Sequence, residues 1–185
     1  MSGFASLWGV SFLCNVDNLS PSVAAFVSSL MWIGLAIASP ILGYLSTRLG
    51  NRKMPLVFSA LLGVVVFTLV LLFKLPTIYI AILIFLAGAA CSGQALTFTL
   101  VKENNNHNVV ASAISLNNMA VVISGAIFQP LIGWLLRELN FLHAIRYRYA
   151  LLVILAAYVI CFFIAWCFIK DPLRQRTTYR HQTTG

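Results

Sequence analysis

Five stretches of 20 residues or more in this chain contain no Asp, Glu, Lys or Arg: 18–47, 54–73, 75–101, 104–136 and 149–169. The shortest runs to 20 residues, and a helix of about 20 residues reaches across a hydrocarbon layer roughly 30 Å thick. A water-soluble domain of 185 residues needs charge on its surface, yet only 9% of these side chains are charged and 61% are apolar. That combination excludes an ordinary soluble domain and places the chain in a bilayer.

The apolar character is continuous along each run, without the alternation of a barrel strand. A helix also satisfies its own backbone hydrogen bonds inside lipid. The expected fold is therefore all-α, a polytopic transmembrane helix bundle with spans at about 21–47, 54–74, 77–101, 109–137 and 147–169. Ahead of them, Gly3 to Cys14 is apolar for only a dozen residues before the polar run Asn15-Val16-Asp17-Asn18. No basic residue precedes this piece and no small-x-small site follows it, so a secretory signal is the weaker reading. The better one is the outer portion of a sixth helix that begins upstream. Residues 1–170 form the membrane unit, and 171–185 form a polar, basic tail that is expected to be disordered.

The distribution of basic residues orients the spans. With the 43–53 loop on the cytoplasmic side, Arg48, Arg52, Lys53, Lys102, Lys170, Arg174, Arg176 and Arg180 lie inside, against Lys74, Arg137, Arg146 and Arg148 outside. The formal net charge of +8 is thus spread over loops and the tail, without a basic face for nucleic acid. Anionic headgroups of the inner leaflet are the simpler partner.

Between the first two complete spans lies GYLSTRLGNRK, residues 43–53. Gly43 permits close backbone approach, Gly50 suits a positive-φ turn, and Arg48, Arg52 and Lys53 can meet lipid phosphates and helix C-terminal carbonyls. The spacing Gly43, Thr47, Arg48, Gly50, Arg52, Lys53 is similar to the G-x-x-x-D-[RK]-x-G-[RK]-[RK]-[RK] signature of the major facilitator superfamily. In that family it occupies the cytoplasmic loop after helix two and, more degenerately, after helix eight. Thr47 stands where the family has its acid, which resembles the second copy. Three more stretches extend the likeness: GFASLWGVSFLCNVDNLS resembles the outer part of helix seven, TLVKENNNHN the inner end of helix ten, and SAISLNNMAVVISGAIFQPLIGWLL helix eleven.

The resemblance implies one six-helix half, helices seven to twelve, of a transporter that alternates access to a central site by rocking two halves. It also implies a multi-pass location in a cell membrane, the inner membrane in a bacterium, and a need for an N-terminal half or a second copy of the chain. In the family, helix eight packs on helix five of the other half. Here Ala36, Ser39 and Gly43 form a small-residue stripe at i, i+3 and i+7 suited to such a crossing.

Polar side chains at membrane depth are candidates for the face of a substrate cavity: Gln94, Asn117, Asn118 and Gln129, the last beside Pro130. Each can equally bond a neighbouring helix. Trp8 and Trp32 could line a cavity too, although aromatic residues near an interface more often anchor. No carboxylate falls inside a span: Asp17, Glu103, Glu138 and Asp171 lie at edges or beyond. A proton-coupling acid, if the carrier is a symporter of that kind, would lie elsewhere. Glu103 is better suited to an ion pair at the membrane edge with an Arg or Lys, Arg48 being the named candidate.

Cys14, Cys91, Cys161 and Cys167 form no C-x-x-C pair, and His107, His143 and His181 are far apart in sequence. No phosphate loop, nucleophile elbow or zinc-helix pair is present. The expectation is a carrier of a small metabolite, with no cofactor and no enzymatic site. The alternative is a truncated, non-transporting remnant or helix-assembly protein.

Overall fold

The computed structural model describes residues 4–139 and 143–169; the expected tail, 171–185, lies outside them. A π-helical turn, Phe4–Trp8, runs into α1, Gly9–Val16. There follow α2 (Pro21–Arg48), α3 (Lys53–Leu72), α4 (Thr77–Cys91), α5 (Gly93–Asn104), α6 (Val110–Glu138) and α7 (His143–Cys167). The described residues contain no strand. Five helical segments are long and apolar enough to cross a membrane, α4 and α5 together making one of them.

Helix ends follow local chemistry. Pro21 starts α2 from an extended Ser20, with its missing N–H at a position that needs no partner. At the other end of α2, Gly50 takes φ +60, its N–H bonds Thr47 O and the N–H of Asn51 bonds Ser46 O, forming a Schellman closure. Asn51 Oδ1 then accepts from the N–H of Met54 and caps α3.

Two span limits differ from expectation. The 77–101 span breaks at Ser92, whose hydroxyl bonds Ala89 O at 2.6 Å, while a Cβ on Gly93 would overlap Ser59 Oγ of α3. A Ser-Gly pair wedged against a neighbouring helix is a recognised cause of a kink. The last helix begins at His143 rather than 147, because Arg146 and Arg148 are inside its first turns. Charge marks the edge of the apolar layer, not the end of the helix.

The helices pack around α3, which lies between α4 and α7. The most extensive interface is nevertheless that of α2 with α4, and it is built on glycines. A Cβ on Gly88 would collide with Met31 O, and one on Gly34 with Phe85 O, so the two backbones touch where both side chains are absent. The buried face of α2 is Ala24, Val27, Ser28, Met31 and Gly34. The Ala36, Ser39 and Gly43 stripe takes no part in this crossing: Ala36 is exposed, Ser39 bonds back to Leu35 O, and nothing lies within 4 Å of the space beside Gly43. The face that packs within this bundle is the Gly34 one, which also carries small residues and lies nearer the helix centre.

Across the core, Phe4 meets Phe67 edge-on at 5.6 Å and Phe67 stacks on Tyr158 at 5.3 Å. Gly63 leaves room for the Tyr158 ring. This aromatic line ties the first helix, α3 and α7 together.

Candidate functional site

Two places gather polar side chains, both toward the end of the bundle that carries the Gly50 turn. At the turn itself, Arg52 is only 8% exposed. Its Nη2 donates to Glu103 Oε1 at 2.8 Å and its Nε to Oε2 at 3.3 Å, a two-pronged pair with the end of α5. Its Nη1 donates to Ser46 Oγ at 3.1 Å and Thr47 Oγ1 at 3.0 Å. Those hydroxyls in turn donate to Asn51 O and Gly43 O. Every polar group in the cluster thereby has a partner, which is what a charge at a membrane edge requires.

Thr47 therefore meets the same arginine that an acid in its place would attract, but through a neutral hydroxyl. The partner of Glu103 is Arg52, and the expectation of Arg48 is corrected: Arg48 is exposed and lies over the Tyr44 ring at 5.9 Å. The reason is geometric. The left-handed Gly50 turn folds Arg52 back under α2, whereas Arg48 leaves the last turn of α2 on its outer side.

The second place is a crevice of about 520 Å³ bounded by α3, the α4–α5 bend, α6 and α7. Gln94 and Asn117 line it; Asn118 and Gln129 are not part of its lining. Asn117 Nδ2 donates to Thr97 Oγ1 at 3.2 Å, and Thr97 Oγ1 donates to Gln94 O at 2.7 Å, which joins α6 to α5. On the facing wall the Tyr158 hydroxyl and the Cys91 thiol are 3.0 Å apart. Asn118, one residue on from Asn117, is exposed on a different face of α6.

Gln129 stands further along α6, where its backbone oxygen accepts from Trp8 Nε1 at 3.1 Å. Trp8 thus packs across to α6, its ring over Gly133, while Trp32 is exposed on α2. The sequence model of the Major Facilitator Superfamily matches residues 2–184. The chain belongs to the major facilitator superfamily. No curated protein and no solved structure gives a match.

A superfamily member is a membrane transporter, and the multi-pass bundle agrees with that. In this facilitator chain the loop signature is held internally, by α5, through Arg52 and Glu103. Sequence reasoning had both residues but not their pairing, because a separation of 51 positions carries no distance information. Ser46 was missed altogether, although its place one turn before Gly50 was a usable signal. The Cys91–Tyr158 contact had no signal, since an isolated thiol in an apolar run reads as a small hydrophobe.

Proposed function

We propose that this chain is one six-helix unit of a secondary active carrier for a small metabolite, working by alternating access with a second such unit or a second copy of itself. The match to the superfamily over residues 2–184 carries the reading. Thr47, in place of the signature's acid, favours correspondence with helices seven to twelve, and the excess of basic residues at the Gly50 end favours a cytoplasmic placement of that end. The anionic inner leaflet of a bacterial inner membrane suits that charge pattern.

In this reading the crevice of Gln94 and Asn117 is the solute-facing wall, and the Ala36, Ser39 and Gly43 stripe with the exposed side of α6 is the surface offered to the second unit. Exposed amides and small residues in a membrane helix support such a role, since lipid gives amides no partner. Purified protein reconstituted into liposomes and offered a labelled metabolite mixture should accumulate at least one solute. A single cysteine at Ser39 (Ser39→Cys in a background without other cysteines) should crosslink to its twin if two copies pair through the stripe. No accumulation with the chain alone or with any six-helix partner would leave the non-transporting alternative standing.

A further inference from the structure

The crevice has a chemical character sharper than its size. Among its lining residues there is no Asp, Glu, Lys, Arg or His. A volume of about 520 Å³ lies within the range of pockets for drug-sized molecules, roughly 300–1,000 Å³. In low dielectric a charged solute needs a counter-charge, because desolvating an unpaired ion is far costlier than desolvating an amide.

The polar groups that are present sit with capacity unspent. The Gln94 side-chain amide has no hydrogen-bond partner among the described residues, leaving an acceptor oxygen and two N–H donors. Asn117 spends one N–H on Thr97 and retains its oxygen. Ile154, Ala157 and Ile164 of α7 with Phe128 of α6 supply apolar lining around the Tyr158 hydroxyl. The crevice therefore sets amides, hydroxyls and thiols among hydrocarbon, with no charged side chain in its lining.

We propose that this crevice takes an uncharged solute with an apolar body and a head group that both donates and accepts hydrogen bonds, the head lying against Gln94 and Asn117. Only the assignment of the crevice to the transport path rests on the carrier reading; the preference for a neutral ligand rests on the lining alone.

Cys161 lines the crevice and is exposed, so its alkylation reports occupancy. The whole chain, with Cys14 and Cys167 changed to Ser, is placed in lipid nanodiscs and treated with a maleimide in the presence of hydrocinnamide, hydrocinnamate or phenylpropylammonium. These probes share one body and differ in the charge of the head. Hydrocinnamide should slow labelling of Cys161 at concentrations about fivefold below those at which either ion does so, the preference that one net hydrogen bond confers. Gln94→Leu should abolish that preference, and Gln94→Glu should transfer it to phenylpropylammonium, a gain that a misfolded variant could not show.

Stronger protection by either ion overturns the neutral assignment. Equal protection by all three, as a lipid-like apolar slot would give, overturns the role of the amides, and no protection by any overturns the site. Counterflow of hydrocinnamide in liposomes is measured separately. Protection without counterflow sinks the carrier reading while the ligand class stands, and counterflow without amide preference does the reverse.

Discussion

Helices α3 and α6 have similar credentials as membrane spans, yet 56% of the most apolar eighteen-residue window of α3 is buried, against 17% for α6. Mean hydropathy, 2.7 for α3 and 1.9 for α6, does not by itself explain the difference, because the last span also reaches 2.7 and is 22% buried. Ser59, Ala60 and Gly63 let neighbouring helices close on α3 from two sides, and Val66, Phe67, Val70 and Leu71 complete its buried surface. Along α6 only Gly125, Ile132 and Leu136 are buried, and its amides, hydroxyls and Pro130 interrupt the apolar surface. Apolarity puts a helix into lipid, but the pattern of small residues decides which helices touch. The packed wall of α2, α3, α4 and α7 is a platform; α6 is a helix with most of its surface still to be used.

The contrast can be broken most severely at the glycine crossing of the packed wall. Gly88→Leu drives a side chain into the Met31 carbonyl, backbone that cannot rotate away, and should cost more than about 4 kcal/mol. The expected outcome is loss of a monodisperse peak in size-exclusion chromatography. Phe67→Ala should cost about 3–5 kcal/mol by emptying the aromatic line, whereas Ile127→Ala, on the open face of α6, should stay within about 0.5 kcal/mol. Thermal unfolding followed by tryptophan fluorescence measures both, and a similar cost at the two sites would erase the distinction. Glu103→Gln should cost about 3 kcal/mol by leaving the buried Arg52 guanidinium with neutral acceptors and no counter-charge, while Arg48→Ala changes little. Trp8→Phe removes one hydrogen bond tethering α6, worth about 1 kcal/mol, and should increase hydrogen exchange around Gly133 before it lowers the melting temperature.

The number of spans and most of their limits were legible because length and charge bound the apolar runs, although the last helix starts ahead of its charges. The kink at Ser92 was not, since a single Ser-Gly pair in an apolar run has many innocuous readings and bends the helix only because Ser59 presses on it. The Gly50 turn was readable from its spacing, as a Schellman closure uses local bonds alone. The choice between the Gly34 and Ser39 faces of α2 was beyond local reading: both carry small residues, and the decision lies in Gly88, 54 positions later. Of the four amides, Gln94 and Asn117 line one crevice, and Asn117 reaches α5 through the Thr97 hydroxyl, a contact fixed by tertiary packing.

The smallest expected effect belongs to Asp17, at the end of α1 away from the Gly50 turn. Burial raises its carboxyl above the usual range, and Arg148 and Lys74 pull it back in part. Arg148 also donates to Leu72 O at 2.9 Å, so this charge sits where α7 caps α3. A folded-state pKa above the unfolded one means that the fold holds this proton more tightly. The corresponding stability is fully present below the unfolded value of about 4 and is lost as pH rises through the folded value. Asp17→Asn should accordingly match the parent near pH 3 and exceed it slightly at pH 7, by under about 1 kcal/mol after allowance for solvent at this half-buried site. Paired melting curves across that range in nanodiscs give the sign. An asparagine variant that is weaker at neutral pH would show that Arg148 and Lys74 outweigh burial, making Asp17 a stabilising counter-ion of the packed wall rather than a modest cost to it.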